Sequence, residues 1–164
     1  HNMRGSFFKA EWNRFINGLF MWVSPLEVHV PWMYYSYGGD PFDDTDADGY
    51  DFGYAFPSPE DPARLISTLH YEAFREGYDD MRYLVTLEQT IERARGQGID
   101  VSPAEAWLDE LRGLLPQLPQ DIKEIDLESP YSVAAERKFS GADYDAMREQ
   151  TARHIMALQQ QLGG

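Results

Sequence analysis

The sequence predicts an α+β fold that is mostly helical with a small β part, and three features lead to this prediction. Residues 19–23 form a short apolar run between Gly18 and Pro25, which is typical of a strand buried on both faces. Residues 67–95 place apolar side chains at three- and four-residue steps, which indicates a long amphipathic helix. Further helical patterns follow in residues 102–162. Because strands buried on both faces belong to parallel sheets, we expect helices to cover the strand.

The long helix has one mostly apolar stripe and two alternative starts. It begins either at Asp61-Pro62, a cap followed by a first-turn proline, or later with Ser67 or Thr68 as the cap. Gly96 and a second glycine two residues later are expected to end it. The stripe consists of Leu69, Ala73, Gly77, Met81, Leu84, Glu88 and Ile91.

Two shorter helices are predicted after the long one. The first opens with Ser102 as its cap, Pro103 in its first turn and Glu105 in the capping-box position. The second covers residues 142–162, and its polar end is expected to fray. The side of this last helix that we expect to be buried carries Tyr144, Met147, Thr151, Ile155 and Leu158.

The charge of the chain argues against polyanionic partners. Its 164 residues carry a net charge of −14, so nucleic acid and acidic membrane surfaces would be repelled, whereas neutral sugars are compatible with this balance. The sequence has no cysteine, which excludes disulfides and thiolate metal sites. It also has no uninterrupted apolar run of the roughly 18 residues that a membrane span requires. We therefore expect no nucleic acid, no membrane and no cofactor among its partners.

The first three residues do not read as a native start. His1-Asn2-Met3 lacks the basic residue and the apolar stretch of a signal peptide, and it looks like a remnant of an expression vector. We therefore expect three segments along the chain. Residues 1–3 come from the vector, residues 4–100 hold the strand, a long loop and the long helix, and residues 101–164 form a helical extension.

The stretch from residue 28 to residue 57 has no sustained periodicity and combines prolines, glycines and aspartates with many aromatic residues. Ordered loops of this length are usually functional, so this loop is the first place to look for a binding site. Aromatic faces stack on the C–H groups of sugar rings. The alternative is that the aromatic side chains only pack the loop onto the rest of the fold. The aromatic residues in or beside the loop include Trp22, Trp32, Tyr34, Tyr35 and Tyr37.

An acidic turn in the same loop resembles the first half of a calcium-binding loop. Asp44, Asp46 and Asp48 place oxygen ligands at alternate positions, and Gly49 occupies the sixth position. The twelfth position, where such sites have a bidentate glutamate, is Ala55. We therefore predict no metal site here, and these three aspartates would be the ligands if calcium bound.

Three landmarks in residues 18–84 form a family signature. Residues 68–84 contain an Arg-Glu-Gly core at Arg75, then two aspartates and a Tyr-Leu pair, all on the predicted long helix. Residues 18–22 read Gly-Leu-Phe-Met-Trp, and residues 46–57 lead from an acidic-glycine turn to a Phe-Pro pair. Together they resemble the C-terminal domain of proteins like glycoside hydrolase family 123. The resemblance implies the C-terminal strand-plus-helices segment of a β/α (TIM-like) barrel, followed by a helical tail.

The resemblance also carries expectations about the site. Ligands of such barrels bind at the C-terminal ends of the strands, where Trp22 would lie. Family 123 enzymes place an adjacent Asp-Glu catalytic pair on an earlier strand, and no such strand precedes Leu19 here, so we expect this chain alone to be inactive. The family usually has an arginine five positions before Arg75, and here that position is His70. A substrate contact made by that arginine would be weakened or become pH-dependent.

The sequence thus predicts the C-terminal segment of a glycoside hydrolase-like, carbohydrate-active enzyme that forms one wall of a sugar-binding cleft. For the parent protein, an extracellular or periplasmic location is slightly favoured. The alternative is a stand-alone helical module that binds a protein partner or is purely structural. An isolated strand at residues 18–23 would also lead to a homo-oligomer, unless the helices fold back over it. The candidate substrate-binding residues are Trp22, Trp32, Tyr35, His70 and Arg75.

Overall fold

The structure, a computed structural model, describes residues 10–28, 35–36, 39–40, 52–115 and 139–163. The described part of the chain is mostly helical with a small β part, as the sequence predicts at this level. A helical segment and two short hairpins precede three longer helices. The elements are α1 (Ala10–Phe15), a π-helical turn (Ile16–Phe20), α2 (Met21–Val23), β1 (Tyr35–Ser36), β2 (Phe52–Gly53), β3 (Ala55–Pro57), β4 (Leu65–Ser67), α3 (Leu69–Gly96), α4 (Ser102–Leu114) and α5 (Gly141–Leu162).

The predicted strand at residues 19–23 is wrong, because this run belongs to a helix. The helix α1, the π-helical turn and α2 follow one another directly, and the residues at their junctions keep right-handed helical dihedrals. Leu19 and Phe20 are buried where the π-helical turn packs on α3. An apolar run this short fits a buried helix as well as a buried strand, so its periodicity could not separate the two.

Two glycines let this helical segment cross α3 at close range. A Cβ atom on Gly18 would lie 2.9 Å from the carbonyl oxygen of Gly77. A Cβ atom on Gly77 would overlap the carbonyl oxygen of Arg14 and lie 3.0 Å from its carbonyl carbon. The element that approaches α3 at Gly77 is a helix. Since Gly18, Leu19 and Phe20 are buried inside the chain, they do not form the exposed strand edge expected of an oligomer contact.

The described strands form two separate antiparallel hairpins, in which β1 pairs with β2 and β3 pairs with β4. In the second hairpin Phe56 lies opposite Ile66. All residues of β4 are exposed, whereas β3 begins with a buried alanine. Thr68 ties this hairpin to α3, because its Oγ1 donates hydrogen bonds of 2.9 and 3.1 Å to the carbonyl oxygens of Gly53 and Tyr54.

The long helix α3 takes the later of its two predicted starts. Thr68 is its N-cap and accepts a hydrogen bond from the backbone N–H of Tyr71. The chain leaves the helix through Gly98, whose φ of 75° is favourable only for glycine and a few other residues. Leu69, at the start of the predicted stripe, is 78% exposed. The buried residues of α3 are Ala73, Gly77, Asp80, Leu84, Leu87, Thr90, Ile91 and Ala94.

The two shorter helices follow their predictions closely. α4 includes Ser102 itself, and the carboxylate of Asp100 accepts from the backbone N–H of Ser102 at 3.0 Å, so the cap lies before the predicted one. α5 begins with a capping box between Ser140 and Asp143, in which each side chain accepts from the other residue's backbone N–H. The predicted buried face of the last helix is confirmed in full and consists of Tyr144, Met147, Thr151, Ile155 and Leu158.

The hydrophobic core lies around α3, which packs against α1, the π-helical turn, α4 and α5. Each of these elements contributes fully buried side chains, including Phe15, Leu87, Leu108 and Tyr144. The helices before and after residue 100 therefore share one core. Among the described helices, none combines the length and the apolar character needed to cross a membrane.

Candidate functional site

A groove of about 450 Å³ lies between the C-terminal half of α3 and α4. Its floor is aliphatic, because Ile91 and Leu108 are buried beneath it. Its rim carries more acidic than basic side chains, so the groove is negatively charged as a whole. The lining residues are Glu88, Ile91, Glu92, Arg95, Glu105, Leu108, Asp109 and Arg112.

Trp22 adjoins this groove through two of its lining residues. The indole Nε1–H of Trp22 donates a 3.0 Å hydrogen bond to Glu88 Oε1. The guanidinium of Arg112 donates to the same oxygen at 2.7 Å and lies over the indole ring, 4.9 Å from its centroid. α2 and the adjacent π-helical turn position the tryptophan, which is partly buried against the core. The predicted site residue Trp22 thus lies at a surface depression lined by polar groups.

Every carboxylate of the groove is ion-paired with an arginine. Arg112 pairs with Glu88 and Asp109, and Arg95 pairs with Glu92 and Glu105. Guanidinium–carboxylate pairs present charged hydrogen-bonding groups in fixed positions. The groove therefore suits recognition of polar groups. Within the described residues, no cluster of three or more His, Asp or Glu side chains is arranged to hold a metal ion.

His70 lies in the first turn of α3 and faces α1. Its Nδ1 is 3.0 Å from the side-chain amide nitrogen of Asn13, which is itself buried. Burial lowers the pKa of His70 below its usual value, because the charged imidazolium is poorly solvated there. A neutral imidazole can accept the amide hydrogen through Nδ1. The histidine thus joins α3 to α1.

Arg75 is exposed on the outer face of α3. The i,i+4 spacing predicts a pair with Asp79. The guanidinium of Arg75 pairs with Glu72 and Glu76 instead. Asp79 pairs with Arg82 instead. These hydrogen-bonded and charge contacts raise the pKa of Arg75, with Glu72 as the first cause. The arginine makes ordinary helix-surface ion pairs.

The structure does not bring the predicted site residues into one cleft. His70 and Glu88, the partner of Trp22, are separated by roughly 27 Å along α3 at a rise of about 1.5 Å per residue. The backbone of Tyr35 lies in β1, opposite Gly53. Trp32 and the candidate calcium ligands Asp44, Asp46 and Asp48 lie outside the described residues. Among the predicted residues whose side chains the structure describes (Trp22, His70 and Arg75), only Trp22 adjoins the groove.

Sequence reasoning missed the buried ion-pair network around Asp80. The side chain of this aspartate is completely buried, and its carboxylate accepts from Arg14 Nε at 2.7 Å and from Arg148 Nε at 2.7 Å. Arg148 also pairs with Glu76 at 2.7 Å, and Arg14 pairs with Asp145 at 2.9 Å. A signal was present, since Asp80 falls three residues after Gly77 and four before Leu84, on the apolar stripe.

Burial alone would lower the pKa of Arg14 and of Arg148, but their carboxylate partners outweigh it and both pKa values rise. The ring of Tyr144 lies under the Arg14 guanidinium at 4.8 Å, and burial raises the pKa of its hydroxyl. Both arginines are therefore fully charged and held in fixed positions. The network joins α1, α3 and α5 through a completely buried carboxylate, so it holds these three helices together.

Comparison of the chain with protein-family models, with curated proteins and with solved structures gives no match. The groove beside Trp22 is consequently assigned by its own geometry. It is a concave surface lined mostly by charged hydrogen-bonding groups, and the aromatic ring of Trp22 adjoins it.

Proposed function

We propose that the chain is the helical C-terminal segment of a glycoside hydrolase-like, β/α-barrel protein, and that it contributes a non-catalytic sugar-binding wall. The groove between α3 and α4 is the binding surface in this proposal. The observation that carries it is the cluster of Trp22, Glu88 and Arg112, which places an indole ring next to a carboxylate and a guanidinium.

Sugar sites combine an aromatic surface for the C–H face of the ring with charged groups that hydrogen-bond the hydroxyls. The groove supplies charged groups over an aliphatic floor. Trp22, which adjoins the groove, supplies the aromatic surface. Its excess of carboxylates favours neutral sugars over acidic ones. In this proposal the barrel and its catalytic pair belong to the rest of the parent protein. The family resemblance at residues 68–84 also supports this proposal.

The test is an NMR titration of the protein with a panel of neutral oligosaccharides. We expect saturable shifts in the amides of residues 88–95 and 105–112 with at least one sugar. Glu88→Gln should weaken this binding, because the carboxylate holds both the indole N–H and the arginine. Glu149→Gln is the matched control, since Glu149 makes an exposed ion pair on α5 outside the groove. A panel that leaves the groove unshifted would refute the sugar-binding wall.

A second candidate function is association with another copy of this chain, and the exposed edge strand β4 favours it. Leu65 and Ile66 are 58% and 44% exposed. Ser58 N–H donates to Arg64 C=O, and Thr68 N–H donates to Tyr54 C=O. Hydrogen-bonded pairs alternate along an antiparallel hairpin, so the backbone groups of Leu65 and Ser67 face away from β3.

This edge is complementary to itself. If a second copy aligns antiparallel with Ile66 opposite Ile66, Leu65 of each copy lies opposite Ser67 of the other. Both pairs then exchange backbone hydrogen bonds, and the exposed apolar side chains of β4 cover one another. We propose that the chain forms a homo-oligomer through this strand.

Light scattering tests the association. We expect a mass above the 18.9 kDa of one chain, reduced to that value by Ile66→Lys. Met156→Lys is the control, because Met156 is a similarly exposed apolar residue on α5 and the charge change is the same. A monodisperse species of one chain mass, or an oligomer that survives Ile66→Lys, would contradict this interface.

A further inference from the structure

Arg112 covers one face of the Trp22 indole ring. The guanidinium carbon of Arg112 lies 4.9 Å from the ring centroid. The same guanidinium donates to Glu88 Oε1 at 2.7 Å and to Asp109 Oδ1 at 3.3 Å. Trp22 Nε1 donates to that Glu88 oxygen at 3.0 Å. One arginine therefore lies on one face of the ring and donates to the carboxylate oxygen that the indole N–H also contacts.

A sugar would require the same two groups. Its C–H face needs the indole surface, and its hydroxyls donate to carboxylate oxygens as a guanidinium does. Because one face of the ring holds one group at a time, Arg112 and a sugar stacked on that face exclude each other. Binding through this face of Trp22 therefore requires the arginine side chain to move away.

The environment of Arg112 allows such a movement. Its side chain is 46% exposed, and those of Glu88 and Asp109 are 36% and 77% exposed. Exposed ion pairs and exposed cation–π contacts are weak, so both can break without disturbing the core. Arg112 is in the last turn of α4, where the helix dipole favours a cation. This favourable interaction persists when the flexible side chain changes position.

We propose that Arg112 is a displaceable cover on Trp22, so that it lowers the affinity of the groove for sugar rather than raising it. The proposal rests on the sugar-binding function proposed above. It assigns Trp22 and Glu88 as the binding groups and Arg112 as an internal competitor that any ligand must outcompete. A ligand that lacks either a C–H face or a hydroxyl donor gains too little to displace it.

The first experiment measures sugar affinity by NMR titration for the protein and two variants. Arg112→Ala should tighten binding about fivefold, the factor that corresponds to losing one weak exposed contact. Arg153→Ala is the control, because Arg153 makes an exposed ion pair with Glu149 on α5, outside the groove. It should leave the affinity unchanged. Weaker binding of Arg112→Ala would make Arg112 a sugar contact and overturn the proposal.

The second experiment tests the cover without any sugar. A soluble paramagnetic gadolinium chelate relaxes exposed protons, and the Trp22 ring signals are identified by their loss in Trp22→Phe. Arg112→Ala should increase the relaxation of these signals, whereas Arg153→Ala should leave it unchanged. If ring exposure increases but no variant binds sugar, the proposed function fails and the cover stands. If ring exposure is unchanged, the cover is refuted whatever the titration shows.

Discussion

Arg148 donates a 2.7 Å hydrogen bond through Nε to Asp80, whose side chain is completely buried at the centre of α3. Arg148 and Asp80 are 68 positions apart in sequence and lie on different helices. Arg14 approaches the same carboxylate from α1. Three helices are thus oriented by one acidic side chain, in addition to their apolar packing.

The first prediction concerns this carboxylate. Asp80→Asn removes the buried carboxylate that two guanidinium groups share and leaves Arg14 with only Asp145 and Arg148 with only Glu76. It should lower the free energy of unfolding by about 3 kcal/mol. Urea denaturation followed by circular dichroism measures it. Glu149→Gln breaks an exposed ion pair on α5 and should hardly change the midpoint. Equal midpoints for Asp80→Asn and the unmodified protein would show that the network contributes no stability.

The second prediction uses two helical glycines that differ in their surroundings. Gly77→Ala places a methyl group on the Arg14 carbonyl and should destabilise the protein by about 1–3 kcal/mol. A Cβ atom on Gly113 in α4 would meet no atom of the described residues within 4 Å, so Gly113→Ala should stabilise the protein by up to about 1 kcal/mol. Thermal unfolding of both variants checks the signs. A neutral Gly77→Ala would mean that the helices do not cross as closely as described.

The third prediction concerns pH. Burial lowers the pKa of His70, so the unfolded chain takes up this proton more readily than the folded one. The contribution of His70 to stability is therefore present above a pH of about 6.5 and is lost as the pH falls through the lower folded pKa. An NMR titration should give a midpoint below the usual histidine value for the signal that disappears in His70→Gln. A midpoint at or above that value would contradict the burial of His70 against Asn13.

The fourth prediction concerns catalysis. Because the proposed function places the catalytic carboxylate pair in the rest of the parent protein, we expect no hydrolysis of aryl glycosides above background. Release of nitrophenol from a panel of nitrophenyl glycosides is the measurement. Turnover that is abolished by Glu88→Gln, or by Glu27→Gln on the exposed stretch after α2, would identify a catalytic carboxylate and end the non-catalytic interpretation.

The sequence predicts the three long helices well, because each has a strong signal of its own. The buried face of α5 follows from residues at regular helical spacing, and Thr68 and Ser140 are strong N-cap residues. The run at residues 19–23 misled because it is apolar on all sides, which fits any buried element. Its close packing on α3 depends on Gly18 and Gly77, which are far apart in sequence and meet only in the folded chain.

The candidate site was less predictable than the fold. Trp22 could be singled out as an aromatic residue, but its partners Glu88 and Arg112 lie on separate helices. Asp80 could have been recognised as an acid on an apolar stripe, whereas its partners Arg14 and Arg148 have no local signal. Pairings between distant segments depend on how the helices pack, and the spacing of residues along the sequence does not predict this packing.

The late position of Arg148 has a consequence for synthesis on the ribosome. The chain emerges from its N-terminal side, so Arg14 and Asp80 are available to each other well before α5 exists. During that interval the carboxylate of Asp80 is paired with Arg14 alone. The face of α3 that Tyr144 and Met147 will cover is still open to water. The nascent chain therefore completes its core in a single late step, when the docking of α5 delivers the second guanidinium and the missing apolar face together.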